Sequence, residues 1–406
     1  MCKRFYLLLA TAIIGCTGSV ALAGEAEEAS DSAGFVFTDV KVNPTTSVKD
    51  QNKSGTCWSF SGVAHIEDEI LKKGGPEVDL SEMFVVRQCY LDKADKYIRL
   101  GGHGNFGPGG AVTDVPYVFF TYGAIPESAY TGLNYGEESH VHGELNDALT
   151  AYLKAVNSHP NKRLSTAWKK GVEGILDAYL GPVPETFTVD GKTYTPQSYA
   201  ASFGLKKDDY VGFTSFTHHP FYEPFALEVA DNWLWEEYNN VPLDELKSIV
   251  DNAIDKGYTV VWAADISEPG FKWRKGVALM PKDKDEKDMD GTELSRWVAL
   301  TPAEKKSEKY EFDGPVPEET ITQEMRQNWF DRMETTDDHG MVIVGKAVDQ
   351  NGTPYYKVKN SWGTDGHIYD GFFYVSEPYF LAKTLSLLVN KDALTAEQAK
   401  KSGIKK

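Results

Sequence analysis

The stretch Gln51-Asn52-Lys53-Ser54-Gly55-Thr56-Cys57-Trp58-Ser59-Phe60 constrains this 406-residue chain more than any other. It sets a carboxamide six residues ahead of a cysteine, with a glycine turn between them. Phe60, Val63, Ile66 and Ile70 recur at helical spacing, so Cys57 opens an amphipathic helix. Lys72 and Lys73 fall in its last turn, and Gly74 and Gly75 stop it. A cysteine at a helix N-terminus meets aligned peptide dipoles that favour an anion, and the thiolate is the nucleophilic form. A free thiol of pKa about 8.5 is only a few per cent ionised at neutral pH. A nucleophilic role for Cys57 therefore requires a histidine elsewhere in the chain, and a group to orient it.

Both arrive near the other end. Asp337-Asp338-His339-Gly340 precedes the apolar run Met341-Val342-Ile343-Val344-Gly345, and Asn351-Gly352 separates it from Tyr355-Tyr356-Lys357-Val358-Lys359-Asn360. Asn-Gly between two strand-like runs signals a hairpin. It brings His339, at the start of one strand, beside Asn360, at the end of the other. Nucleophile, general base and an amide oxygen that fixes the imidazole make a workable set for acyl transfer. Gln51 adds a side-chain N–H for a developing oxyanion. Singly, each residue has a plainer reading: a buried cysteine, a strand-end histidine, a turn asparagine, a loop glutamine.

Gln51 with Gly55-Thr56-Cys57-Trp58-Ser59-Phe60, then Asp338-His339-Gly340, then Asn360-Ser361-Trp362-Gly363 resemble, in kind and order, the motifs of the papain-like cysteine peptidases. In the papain type the histidine and asparagine follow the cysteine by about 130–150 residues. Here 282 positions separate Cys57 from His339, so about 130–150 residues are inserted. That points the resemblance at the bleomycin hydrolase and bacterial aminopeptidase C branch. Residues 187–199, 205–211, 241–247 and 260–265 also fall in that branch's order, and the likeness covers about residues 35–390. The resemblance implies a cysteine-type peptidase without a cofactor, with Cys57, His339, Asn360 and Gln51 as the catalytic set. Trp58, Gly109 and Gly110 would line the substrate site, because a glycine pair admits the backbone of an extended peptide. Trp362 would shield the His339–Asn360 hydrogen bond from water. An aminopeptidase acting on oligopeptides is the main reading; a papain-like endopeptidase and a non-catalytic peptide-binding protein on the same scaffold are the alternatives. Ser54 stands where typical papains place a disulfide cysteine, which leaves Cys89 as a free core thiol. In the branch a C-terminal arm lies in the cleft and restricts cleavage to free N-termini; Ser402-Gly403-Ile404-Lys405-Lys406 does not match its usual ending. A homo-oligomer, the branch's hexameric ring, is implied as well.

The expected fold class is α+β: a two-lobe papain-like fold with a helical lobe, an antiparallel β lobe and a large insertion. The boundaries run 1–23 for an export signal, 24–43 for an N-terminal arm, 44–130 for the helical lobe with the nucleophile, and 131–254 for a mainly helical insertion. The β lobe with His339 and Asn360 takes 255–392, and 393–406 is a polar, mobile tail. Residues 282–293 read as a charged loop. The segment 101–110 is glycine-rich but lacks the lysine of a phosphate-binding loop.

Lys3 and Arg4, a short apolar run and Ala21-Leu22-Ala23 compose an export signal, which places the protein outside the cytoplasm, periplasmic or secreted. Ile13-Ile14-Gly15-Cys16 reads alternatively as a lipidation site that anchors Cys16. The net charge of −18 argues against nucleic-acid partners and leaves peptides as the expected substrates. His140 with His142, His218 with His219, and His65 with its helix acids are the only metal-like groupings, and none shows a third ligand at metal spacing, so no metal is expected.

Overall fold

A computed structural model of the chain describes residues 34–158 and 163–406. The export signal at 1–23 and the lipidation site at Cys16 lie outside the described residues. The chain opens with strand β1 (Thr38–Val42) and the cysteine helix α1 (Cys57–Lys72). Then come α2 (Glu82–Arg99), α3 (Asp114–Thr121), α4 (Gly143–Ser158) and α5 (Ala167–Leu180). Ser81 starts α2 by accepting a hydrogen bond from the Phe84 N–H. Leu145, Leu149 and Leu153 of α4 and Val172, Leu176 and Leu180 of α5 are buried with Phe60, Ile66, Phe84 and Cys89 in one core. The first part of the insertion thus completes the helical lobe.

The hairpin β2 (Phe187–Val189) and β3 (Lys192–Tyr194) turns at Asp190-Gly191, both at positive φ. After it come α6 (Pro196–Ser202), β4 (Tyr210–Thr214), β5 (Pro224–Ala226), β6 (Glu237–Asn240) and α7 (Leu243–Asp255). Strands β7 (Val260–Ala264), β8 (Phe271–Lys272) and β9 (Val277–Ala278) lead to helices α8 (Gly291–Ala299), α9 (Pro302–Lys309) and α10 (Gln323–Asp331). The last part holds β10 (His339–Val348), β11 (Pro354–Lys359), β12 (Phe372–Ser376), α11 (Glu377–Lys383), β13 (Thr384–Asn390) and α12 (Ala396–Lys401).

Ten strands pair in the order β5-β6-β4-β13-β7-β10-β11-β12-β9-β8, and β1 adds to β10. Strand β10 has a covered surface on both sides. Met341 and Ile343 pack with Leu246, Ile249 and Val250 of α7, whereas Val342 and Val344 pack with Ala64 of α1. The period-2 alternation of a strand delivers successive side chains to two different cores. It fixes the depth of His339 relative to α1.

Several expectations need correction. The insertion is mainly helical in its first half, but β4, β5 and β6 hydrogen-bond into the same sheet as the β lobe. That sheet is not purely antiparallel, since β4 pairs with β6 and β12 with β9 in parallel. Residues 393–406 are not a loose tail. Thr395 and Gln398 form a reciprocal capping box, Ala399 is buried, and Ile404 packs on the α7 side of the sheet. The charged loop ends earlier than expected, because Asp290 caps α8 through the N–H groups of Thr292 and Glu293.

Burial of acids gives the fold an unusual pH profile. Burial pushes Glu67, Glu69, Asp114, Glu127, Glu318 and Asp337 up to about 7. The unfolded chain releases these protons near pH 4. Between those values the native state holds more protons, so stability falls as pH rises from about 4.5 to 7. His65, His142 and His339 are pulled down to about 4 by burial and act oppositely, but they are fewer. Denaturant unfolding is expected to give higher stability at pH 5 than at pH 8. Glu67→Gln, at a site 1 % exposed, should shrink that difference by on the order of 3 kcal/mol; a profile rising toward pH 8 would contradict the assignment.

Candidate active site

Cys57 occupies the first helical position of α1, preceded by a tight turn. Gly55 takes φ +68°, and a Cβ there would press on the Pro108 ring at 3.1 Å. Thr56 gives no side-chain cap to the helix, and the Cys57 N–H makes no hydrogen bond among the described residues, so it stays open to the site. Two backbone N–H groups, from Trp58 and Gly340, reach the Cys57 sulfur. Gly340 follows His339 directly and lies against the first turn of α1. A Cβ on it would sit 3.1 Å from Trp58 Cα and 2.8 Å from Ser61 Oγ. This close passage of β10 across the helix start brings the histidine to the cysteine.

His339 and Asn360 meet as the hairpin predicts. His339 Nε2 donates to Asn360 Oδ1 at 2.7 Å, and both residues are buried. The same oxygen accepts the Ser361 N–H at 2.8 Å, which stops the amide from swinging. With Nε2 engaged, Nδ1 is the ring nitrogen left to exchange a proton. The Trp362 ring lies 4.8 Å from the imidazole, centroid to centroid, at 35°. Gln51 is held from both ends: its N–H donates to the Ser361 carbonyl, and its Oε1 accepts the Ser361 hydroxyl at 2.6 Å. Its Nε2 makes no hydrogen bond among the described residues and remains a donor beside the cysteine turn.

Burial disfavours a single charge on either reacting group. It pushes the Cys57 thiol up to about 12, with the Asp337 and Asp231 carboxylates adding to the push and the two N–H groups opposing it. It pulls His339 down to about 4, against Asn360 and Asp338, which favour the cation. Transfer of the thiol proton to the imidazole makes both charges together, each the other's counter-ion. The site therefore favours a paired charge over an isolated one.

The glycine-rich segment behaves differently from expectation. The missing Cβ atoms of Gly109 and Gly110 are taken up by the protein itself. A Cβ on Gly110 would fall 2.7 Å from the Trp58 ring, and one on Gly109 would fall 2.1 Å from Asp231 Oδ2. Trp58 donates its indole N–H to the Pro108 carbonyl at 2.8 Å. The buried Lys93 of α2 binds the carbonyls of Gly107 and Gly109. Of the pair, Gly110 keeps both its N–H and C=O free of hydrogen bonds among the described residues while the Gly109 carbonyl is taken by Lys93, so backbone pairing to a substrate is left to Gly110. Gly109 is covered.

The cover is the segment 229–235 of the insertion. Trp233 Nε1 donates to the buried Asp114 of α3 at 2.6 Å, and Asn105 Nδ2 donates to the Ala230 carbonyl at 3.0 Å and to Asp231 Oδ1 at 3.1 Å. Beside it a cavity of about 470 Å³ is lined by Glu228, Val229, Asp231, Phe330, Met333 and Asp337, among others. Asp231, Asp337, Lys93 and Asp114 were invisible as site residues. Only Asp337 had a local cue, its place two residues before His339.

Among the described residues one trio has metal-ligand geometry. His218 Nε2 and His219 Nε2 lie 3.0 and 2.7 Å from the two oxygens of Glu228. The fold supplies the third ligand that the sequence did not show. Gln327 Nε2 donates to His218 Nδ1 at 3.1 Å, so the trio is already satisfied as a hydrogen-bonded cluster. Cys89 is buried and Cys57 partly so, and both are free thiols.

Comparison with known proteins gives a consistent picture. Residues 37–171 match the model of the papain family cysteine protease, and residues 305–404 match that of the peptidase C1-like family. The chain is 22 % identical over 406 residues to aminopeptidase C of Streptococcus thermophilus, covering 86 % of this chain and 82 % of that one. It is 23 % identical over 402 residues to aminopeptidase G of Lactobacillus delbrueckii subsp. lactis, covering 87 % and 83 %. Among solved structures, PepW from Lactobacillus rhamnosis HN001 shares the fold with a TM-score of 0.67 at 19 % identity, covering 90 % of this chain and 84 % of that one.

Proposed function

We propose that this chain, which matches the papain family cysteine protease model over residues 37–171 and is similar to aminopeptidase C over most of its length, is a papain-like aminopeptidase acting on oligopeptides through Cys57, His339, Asn360 and Gln51. The observation that carries the hydrolytic part is the His339 Nε2–Asn360 Oδ1 bond at 2.7 Å, with Gly340 bound to the Cys57 sulfur. It leaves Nδ1 as the imidazole nitrogen free to exchange a proton, on the residue next to the Gly340 N–H that binds the thiol.

The chemistry follows from these contacts. Cys57 gives its proton to His339 Nδ1, and Sγ attacks the carbonyl carbon of the scissile bond. The oxyanion takes the Cys57 N–H and Gln51 Nε2; one such donor is typically worth about 2.7–4 kcal/mol in the transition state. As the C–N bond breaks, His339 returns the proton to the leaving amine. Water then adds to the thioester, its proton passes to His339, and the acid leaves with Cys57 restored.

Restriction to N-terminal residues is supported by the names of the relatives and by the covered Gly109, since residues upstream of the scissile one would run into Asp231. The test compares an aminoacyl coumarylamide with its N-acetyl form. The free amine should be cleaved at least about 100-fold faster in kcat/KM. Equal rates would make the protein an endopeptidase. Export rests on residues 1–23 and a ring-shaped oligomer rests on family likeness; both belong to this proposal as expectations for fractionation and sizing experiments.

A further inference from the structure

The non-primed end of the cleft carries an unbalanced set of charges. Asp231 lies over Gly109, with Oδ1 held by Asn105 and no partner on Oδ2. Asp337 makes no hydrogen bond or ion pair among the described residues, although it is largely buried beside Asp231 and the nucleophile. Burial raises both carboxyl groups above the usual carboxylate range, and the neighbouring Asp231 charge adds to the rise at Asp337, so a cation brought to this cavity would be favoured. The other charged groups facing Asp231 are Lys93 of α2 and Asp114 of α3. The ammonium of Lys93, bound to the carbonyls of Gly107 and Gly109, favours the Asp231 anion, but the lining of the cavity holds Glu228, Asp231, Asp331 and Asp337 with neither Lys nor Arg.

We propose that Asp231 and Asp337 bind the α-ammonium of the substrate, so that the segment 229–235 of the insertion sets a one-residue register. The inference rests on the aminopeptidase reading and gives it a recognition group. An N-terminal residue whose carbonyl carbon lies at Cys57 has its α-nitrogen two bonds further upstream, toward the end of the cleft that Asp231 closes. An acetylated nitrogen brings no charge to the two carboxylates and adds bulk where Asp231 stands. The carboxylates are held before substrate arrives: Asn105 fixes Asp231, Trp233 ties its segment to Asp114, and Asp337 precedes β10 by two residues. Residues 394–406 pack on the α7 side of the sheet, across β10 from α1, so they do not supply this charge. Binding the ammonium also offsets the two negative fields that keep the Cys57 proton in place, so a free N-terminus promotes the step it is positioned for.

The experiment measures kcat/KM for leucyl-coumarylamide and N-acetyl-leucyl-coumarylamide with the full chain, from pH 6 to 9. Asp231→Asn is expected to lower the value for the free amine about 10- to 100-fold, through the loss of a charge-assisted hydrogen bond. The free-to-blocked ratio should collapse with it. The wild-type profile for the free amine should also fall as the α-ammonium deprotonates near pH ~8, and that limb should flatten in the variant. Asp337→Asn should act in the same direction, and its side chain has no partner whose loss would unsettle the fold. Iodoacetamide uptake at Cys57 reports an intact site in each. Variants that keep the wild-type ratio and alkaline limb overturn the ammonium assignment alone. A wild-type protein that cleaves both substrates equally overturns the aminopeptidase reading and this assignment with it.

Discussion

Replacing Cys57 with alanine should reduce peptide cleavage by at least about 10⁴-fold in kcat/KM. Without the sulfur no thioester can form, and His339 has only water to activate. The oxyanion donors and substrate binding persist, and such elements alone retain about 10³–10⁴-fold over the uncatalysed reaction. The fold should hold. Cys57 is partly open to solvent, so water can take up the Trp58 and Gly340 N–H groups that bind the sulfur. The stability change should stay within about 1 kcal/mol. The measurement is turnover of a free aminoacyl coumarylamide, with unfolding followed on the same sample. Cleavage surviving in Cys57→Ala would move the chemistry to another residue and undo the mechanism.

Gly340→Val should also be damaging, although glycine contributes no functional side chain. Its backbone crosses the first turn of α1 so closely that a Cβ would lie 2.8 Å from Ser61 Oγ and 3.1 Å from Trp58 Cα. Backbone on one side leaves little room to yield, so β10 and α1 must part. Overpacking of this kind costs typically about 1–3 kcal/mol. The larger effect falls on geometry. The Gly340 N–H leaves the Cys57 sulfur, and His339, one residue earlier, moves with the strand. A misplacement of about 1 Å can cost about 10²-fold in rate. Activity should therefore fall by at least that factor while Cys57 still reacts with iodoacetamide. Full activity in this variant would mean that β10 does not position the histidine.

How much of this was legible depends on how local the signal is. Cys57, His339 and Asn360 could be found because each motif sits on a self-announcing element: a helix with an apolar stripe, and two strands joined by Asn-Gly. The pairing of β10 with β11 makes the rest. Asp231 and Asp337 carry no such signal. Their proximity exists only after the insertion has folded back over the glycine segment, and Asp231 stands 174 positions beyond Cys57. Strand β13 illustrates a different loss. Leu385, Leu387, Leu388 and Val389 are buried between β4 and β7, and a central strand covered on both faces has no alternation to read. In the last residues the lysine-rich composition outweighs a capping box, Thr395 with Gln398, that is present in the sequence.

The sheet order also governs when this enzyme can exist. Strand β1 pairs with β10, and β4 with β13, so early segments wait for late ones. At about 5–20 residues per second a ribosome needs roughly 15–55 s to travel the 282 positions from Cys57 to His339. During that interval the nucleophile has neither its base nor the Gly340 N–H. A nascent chain is therefore unable to cut itself or its neighbours, and proteolytic competence arrives only with the closing strands of the sheet.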